Sequence, residues 1–145
     1  MKKYKAANGA TFGNGKAQIY GARLDVLREE NGRLTPSIVV NDAKKATSPL
    51  HEHFEWNADV AADKFRLLQA RQMINCIVEV VVIEGKQKEF KSWFNVKDSN
   101  KENIYVSIKE AVKTPSYKTQ ILNDLITELE HTTNLMKTFK KLISR

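Results

Sequence analysis

The C-terminal part of the chain carries a heptad pattern of apolar residues, and this pattern constrains the fold more than any other feature. Between Leu122 and Ile143, large apolar side chains recur in alternating steps of three and four residues, with one interruption at Thr132. Thr114-Pro115 precedes them and favours a helix start, because a hydroxyl can cap the helix and proline suits its first position. We therefore predict one long helix over residues 114–145. Its apolar stripe consists of Leu122, Leu125, Leu129, Met136, Phe139 and Ile143.

An apolar stripe of this length has to be covered by other protein surface. Leu135 and Leu142 widen it, and a wide stripe at the end of a small domain is typical of a helix that packs on the sheet of its own domain. The alternative is a second copy of the chain, in a coiled coil or a helix-exchange dimer. In that case the six stripe residues are the candidates for self-association, and the protein is a homo-oligomer.

Three shorter helices are predicted upstream, over residues 17–31, 35–46 and 58–74. The first is indicated by apolar residues at helical spacing and by Gly32, which supplies the left-handed residue that ends many helices. Thr35-Pro36 starts the second in the same way as Thr114-Pro115, and Asn57 is a suitable cap for the third. The buried face of the third helix is expected to have Ala61, Phe65 and Leu68 on one edge and Leu67, Ala70 and Ile74 on the other. Trp56 is expected to anchor the second and third helices to each other.

Strands are predicted in the middle of the chain. The β-branched run from Cys76 to Ile83 is of strand length, and Glu84-Gly85-Lys86 breaks it. The alternating segment from Lys88 to Val96 suits a second strand, which would pair with the first as an antiparallel hairpin. A loop over 97–103, a short strand over 104–106 and a helical segment over 107–112 follow.

These elements predict an α+β fold. A length of 145 residues suits one domain over 1–145. Its expected parts are a basic irregular arm over 1–16, a helical part over 17–75, a hairpin or small sheet over 76–106, and the C-terminal helix over 114–145.

Composition excludes several classes of protein. The longest apolar run is far shorter than the roughly 20 residues of a membrane-spanning helix. The basic N-terminus leads into glycine and asparagine rather than the apolar segment of a signal peptide. Cys76 is the single cysteine and cannot form an internal disulfide. A reducing cytoplasm is the expected compartment.

The sequence contains no motif that indicates catalysis or a cofactor. His51 and His53 are of a metal-binding type, but residues two apart lie on different faces of a helix, and no further ligands follow at the usual spacing. The glycine-rich segment 9–16 lacks the spacing and the hydroxyl residue of a phosphate-binding loop. We therefore expect a protein that is not an enzyme, with no metal and no cofactor.

The positive net charge of the chain favours the hypothesis that it binds nucleic acid. The net charge is +7, and the isoelectric point of about 9.5 exceeds the value of about 9 that marks many nucleic-acid-binding domains. Three helices followed by a hairpin is the element order of a winged helix-turn-helix, in which the third helix would enter the major groove of DNA. Solubility alone is the alternative explanation for the charge. The candidate contacts are Lys2, Lys3, Lys5, Lys64, Arg66, Gln69, Arg71, Lys86, Lys88 and Lys91.

Several short motifs lie within residues 17–75. They are Leu34-Thr35-Pro36, Val39-Val40, Ser48-Pro49-Leu50-His51, Phe54-Glu55-Trp56 and Gln69-Ala70-Arg71. Together they resemble a family of short, largely uncharacterised proteins of bacteriophages and prophages. The resemblance implies a small accessory protein that acts in the host cytoplasm, and it brings no catalytic residues.

Two classes of function follow from these observations. The first is a non-catalytic phage accessory protein that binds nucleic acid, DNA rather than RNA. The alternative is a protein-interaction module that self-associates or binds a host factor, such as a defence or replication component, with a structural part of the virion as a further candidate. The position of the basic residues on the folded surface distinguishes the two, because polyanion binding requires them on one face.

Overall fold

The computed structural model describes residues 2–56 and 60–145, and the chain divides into two compact units, Met1–Ile108 and Lys109–Arg145. The fold is α+β, as the sequence predicts. The helices are α1 (Asn14–Asn31), α2 (Pro36–Ala43), α3 (Val60–Asn75), α4 (Ile108–Lys113) and α5 (Pro115–Ile143), with a 3₁₀ turn at His51–His53. The strands are β1 (Tyr4–Ala6), β2 (Ile77–Ile83), β3 (Lys86–Lys91), β4 (Trp93–Lys97) and β5 (Asn103–Ser107). The single domain over 1–145 stays a prediction.

The strands form two antiparallel sheets. The first has the order β1-β2-β3, and the second pairs β4 with β5. The predicted second strand from Lys88 to Val96 is therefore wrong in extent, because Ser92 separates β3 from β4 and the two belong to different sheets. The Ser92 N–H donates to the Ile77 carbonyl at the end of the β2 ladder, 3.1 Å away. Alternation continues across this point, so the pattern gives no sign that the pairing partner changes.

The prediction of an irregular arm over 1–16 is also wrong in part. Tyr4–Ala6 forms β1, and α1 begins at Asn14. The Asn14 side chain accepts a hydrogen bond from the Ala6 N–H at 3.0 Å, which ties the strand to the start of the helix. A three-residue strand is too short to show a period of two, so its register with β2, and not its sequence, defines it.

Tyr4 fixes β1 on α1. Its ring is buried against Gly21, where an added Cβ would lie 2.6 and 2.8 Å from the ring atoms Cδ2 and Cδ1. Its hydroxyl donates to the Asp25 carboxylate, and burial together with this hydrogen bond raises the pKa of Tyr4. Gly21 is therefore required for close approach of a side chain and not for an unusual backbone conformation.

The predicted helices of the first unit are largely confirmed. Gly32, with φ of 73°, ends α1, and the Thr35 hydroxyl accepts from the Ile38 N–H at 3.2 Å to cap α2. The second helix ends at Ala43, before the predicted Ala46. The proposed cap Asn57 and the first predicted residues of α3 lie outside the described residues.

One predicted edge of the buried face of α3 is wrong, and the other, with Leu67, Ala70 and Ile74, is confirmed. Phe65 and Leu68 are 50% and 47% exposed, whereas Ala70, Met73 and Ile74 belong to the core. The helix has apolar residues around more than half of its circumference, so the helical period alone leaves two candidate buried edges. In the structure, only the edge with Ala70 and Ile74 packs in the core. The core also includes Tyr20, Leu24, Leu27, Leu34, Val39, Val40, Ala43, Leu50, Phe54, Ile77, Trp93 and Tyr105.

A buried ion pair joins α1 to α2. Arg23 donates from Nε to Asp42 Oδ2 at 3.1 Å and from Nη2 to Oδ1 at 2.5 Å, and the Asp42 side chain is only 3% exposed. Ser48 Oγ adds a third hydrogen bond at 2.6 Å. Burial raises the pKa of Asp42, but the hydrogen bonds from Arg23 and Ser48 and the charge of Arg23 outweigh it, so the pKa is lowered overall. The carboxylate is therefore ionised at neutral pH.

Asp42→Asn should destabilise the protein by about 2 to 4 kcal/mol at pH 7, because it leaves the Arg23 charge without its partner in a partly buried site. A carboxylate with a lowered folded pKa contributes its full stabilisation above the unfolded pKa of about 3.9, and loses it as the pH falls through the folded value. Urea unfolding of both proteins between neutral pH and about pH 3 should therefore show the gap closing in acid. The control Glu89→Gln, which removes the exposed Lys5–Glu89 pair, should change stability by less than about 1 kcal/mol. A gap that is unchanged in acid would contradict this account.

Gly21→Ala should destabilise the protein by about 1 to 3 kcal/mol, because the added methyl group overlaps the Tyr4 ring. The matched control is Gly15→Ala in the same helix, where the new Cβ would meet nothing within 4 Å. That variant should be neutral or stabilising by up to about 1 kcal/mol, since alanine is the better helix former. Thermal unfolding of the two variants makes the comparison, and equal melting temperatures would show that Tyr4 is not held against α1.

Candidate functional site

The basic candidates of the first sheet lie on both of its faces. In this sheet Lys5 and Lys91 are in register with Val78, and successive side chains on a strand alternate between faces. Lys86 and Lys88 are therefore on the opposite face from Lys5 and Lys91. The residues on the outer edge of the hairpin are exposed and rich in lysine, which is also what protects an edge strand from further pairing.

Lys2 lies beside two carboxylates, and Lys3 is joined to β2 through its backbone. Lys2 lies 3.4 Å from a carboxylate oxygen of Asp25 and 3.8 Å from one of Glu79. The carbonyl of Lys3 accepts from the Val80 N–H at 2.9 Å, which extends the ladder beyond Tyr4. The sheet therefore does not gather its lysines into one positively charged surface.

Arg66 on α3 contacts its own protein. It is 7% exposed, its Nε donates to the Glu55 carbonyl at 2.7 Å, and its Nη1 donates to Asp63 at 3.0 Å. Its guanidinium group also lies 4.8 Å from the centre of the Trp56 ring, within cation–π distance. A side chain held in this way positions the segment before α3 and does not present its donors to a base edge.

The other α3 candidates lie nearer the surface. Lys64 and Arg71 are exposed, and Gln69 is half-buried, with its Oε1 3.5 Å from the Glu55 N–H. The chain between α2 and α3 runs from residue 44 to residue 59, far longer than the three- or four-residue turn of a helix-turn-helix. A reading role for Lys64, Gln69 and Arg71 stays a prediction.

Trp56 and His51 organise that long connection. The Trp56 Nε1–H donates to the His51 carbonyl at 2.8 Å, and the two rings stack with 5.0 Å between centroids and 7° between planes. His51 Nδ1 is 2.6 Å from the Ala43 carbonyl at the end of α2. Trp56 thus joins the end of α2 to the segment leading into α3, in agreement with its predicted anchoring position.

A groove of about 560 Å³ opens beside this connection. Phe12, Tyr20 and His53 form a cluster of edge-to-face rings with centroids 5.2 to 5.6 Å apart, and burial lowers the pKa of His53. At neutral pH this cluster is uncharged, and the Lys16–Glu52 ion pair borders it. The remaining lining residues are Thr11, Phe65, Gln69 and Gln72.

The groove was not predicted from the sequence. Phe12 lies in a segment without periodicity, and its ring meets Tyr20 and His53 only because three separate parts of the chain converge. Its polar groups are the Gln69 and Gln72 amides, two hydroxyls, the His53 ring and one ion pair, and together they are suited to orienting a polar ligand. Among the residues that the structure describes, no group of three or more His, Cys, Asp or Glu side chains is placed to hold a metal ion.

The stripe on α5 is exposed to solvent. Its six candidate residues are between 43% and 67% exposed, and α5 contributes no buried side chain over residues 115–143, all of which are described. Ile126, Leu135 and Leu142 are exposed beside them. The expectation that the stripe packs on the sheet of its own domain and the alternative of a second copy both stay predictions. A heptad pattern establishes that a face needs cover, but it does not say what covers it.

No protein-family model, curated protein sequence or solved structure matches the chain. The relation to phage and prophage proteins therefore stays a prediction. None of the helices within residues 2–56 and 60–145 combines the length and the apolar character needed to cross a lipid bilayer.

Arg66 and Arg71 provide a matched pair for testing which arginines of α3 are structural. Arg66→Ala should destabilise the protein by about 2 to 3 kcal/mol, because it removes two hydrogen bonds and the contact with Trp56. Arg71→Ala, at an exposed position of the same helix, should change stability by less than about 0.5 kcal/mol. Urea midpoints measure both effects. Equal midpoints would return Arg66 to the residues available for a partner.

Proposed function

We propose that the protein is an interaction module that self-associates through α5. The observation that carries the proposal is the row of nine large apolar side chains on this helix, each 43% to 67% exposed. Scattered exposed apolar residues are normal on a soluble protein, whereas a contiguous row marks an interaction surface. The row includes all six residues that the heptad pattern indicates.

The size of the row is sufficient for association. Burying one Leu, Ile, Met or Phe side chain completely stabilises a complex by roughly 1.5 to 3 kcal/mol, and about half of that remains available where a side chain is half exposed. Association costs an estimated 4 to 15 kcal/mol in lost freedom of motion. Nine half-exposed apolar side chains on each of two helices can offset that cost.

The polar side of α5 supports the same assignment. Asn123, Thr127 and Asn134 lie away from the stripe, and the Thr127 hydroxyl bonds back to the Asn123 carbonyl at 2.9 Å. One side of the helix is therefore suited to water and the other is suited to a partner, as in helices that associate along one face.

Nucleic-acid binding has less geometric support. The lysines of the first sheet lie on both of its faces, and Arg66 is engaged within the protein. A phage accessory role stays a prediction from the resemblance, and a module that self-associates is compatible with it.

The proposal predicts a concentration-dependent oligomer that stripe substitutions dissociate. Leu129→Gln with Met136→Gln should weaken self-association about a thousandfold, because each change removes roughly 1 kcal/mol of apolar burial from each of two copies, about 4 kcal/mol in all. The matched control is Thr127→Gln with Asn134→Gln, which places the same residue type on the polar side of the helix. Light scattering after size-exclusion chromatography measures the mass across a dilution series.

The wild-type protein and the control should then be oligomeric and the stripe variant monomeric. A wild-type protein that is monomeric at high concentration would contradict the proposal. So would equal dissociation of both variants, since it would show that the stripe has no special part in the contact.

A further inference from the structure

We propose that the partner of α5 is a second copy of α5 in the antiparallel orientation. This inference rests on the proposed function and adds the partner and its direction. It is drawn from how charge is distributed along the helix and from which apolar residues meet in each orientation.

The two halves of α5 and its C-terminal extension carry opposite charge. Residues 115–131 contain three carboxylates and one basic residue, Lys118, whereas residues 132–145 contain four basic residues and no aspartate or glutamate. The acidic residues are Asp124, Glu128 and Glu130, and the four basic ones of the second half are Lys137, Lys140, Lys141 and Arg145. The net charge along the helix therefore changes sign near Thr132, at the middle of the stripe.

This division favours one orientation over the other. Two parallel copies place acidic half beside acidic half and basic half beside basic half, so both ends repel. Two antiparallel copies place each acidic half beside a basic half, and the helix dipoles also oppose. Like charges brought together at an interface oppose association, and complementary ones help to fix the register.

The apolar layers favour the same orientation. A parallel pair in register would place two Phe139 rings in one layer and two Thr132 hydroxyls in another. An antiparallel pair that overlaps along the stripe instead places Leu125 near Ile143, Leu129 near Phe139 and Thr132 near Met136 of the second copy. Each large ring then meets a smaller side chain, and each hydroxyl meets a flexible one.

The residues that flank the apolar stripe do not favour either orientation of the pair. Glu128 and Lys140 occupy opposite sides of the stripe, and the other positions next to it include Ile126, Leu135 and Leu142. Few charged pairs can therefore form along the edges of the contact in either orientation. The antiparallel pair is therefore selected by the separation of charge between the two halves of the helix and by the apolar layers.

A spin label on the polar side of α5 measures the orientation with little disturbance of the contact. The label is attached to Asn123→Cys in a Cys76→Ser background, and the distance between the two labels is measured by pulsed electron resonance. With Leu125 opposite Ile143, antiparallel labels are separated by about 33 Å along the helix axis, because each residue adds about 1.5 Å. Parallel labels lie at the same height on the outer sides of the pair, separated by about two helix diameters, or roughly 20 to 24 Å. A single short distance would overturn the proposal.

Disulfide formation gives an independent measurement. In the same background, Leu125→Cys and Ile143→Cys are oxidised separately and as an equimolar mixture. Antiparallel pairing predicts roughly tenfold or more covalent dimer in the mixture, linked between positions 125 and 143, since a disulfide requires Cα atoms within about 7 Å. Parallel pairing predicts covalent dimer in each single variant. Mass spectrometry of the linked peptides identifies the positions.

The outcomes separate this inference from the proposed function. An oligomer by light scattering whose labels are close, or whose single variants crosslink, would overturn the antiparallel orientation and leave self-association through α5 intact. An oligomer that gives neither the long distance nor the 125–143 link would also overturn the orientation. A protein that is monomeric at all concentrations would overturn both.

Discussion

The first unit depends on one buried carboxylate. Asp42 accepts hydrogen bonds from Arg23 on α1 and from Ser48 in the connection after α2, so one side chain joins three parts of the chain. The Ser48 hydroxyl in turn accepts from the Leu50 N–H at 3.1 Å, which starts the turn that carries His51. An ionised group in this position is stable only because its partners have fixed places, since burial alone would raise its pKa.

The consequences of that arrangement extend to α3. His51, which follows the Ser48 turn, supports Trp56, and Trp56 lies under the Arg66 guanidinium. His53 and Phe54 lie between His51 and Trp56 in the sequence, and their rings contact each other. His53 also contacts Phe12 and Tyr20 at the groove. A continuous series of hydrogen bonds and aromatic contacts thus runs from α1 to α3. Arg66, which the sequence predicts as a nucleic-acid contact, is largely buried because it is the last member of this series.

The sequence predicts those parts of the fold that depend on local chemistry. Thr35 and Gly32 bound their helices as expected because capping and left-handed backbone are properties of single residues. It does not predict β1, whose place depends on a glycine in α1, or the change of sheet at Ser92, where the pattern of alternation continues. For the candidate surfaces, the period identifies the apolar face of α5 but not its exposure, and the groove is formed by residues that are distant in sequence.

The exposure of α5 also bears on its own stability. An isolated helix in water gains little from propensity alone, and most helical stability in proteins comes from packing an apolar face. Within its described residues, 115–143, α5 has no buried side chain to supply that packing. If a second copy covers the stripe, the free energy of association is also what holds the helix together. Helix formation and self-association would then be linked equilibria, so that dilution lowers both. The division of charge would contribute to this linkage, because like charges one helical turn apart, such as Asp124 with Glu128 and Lys137 with Lys141, repel each other within one copy. An antiparallel partner would place opposite charges beside them.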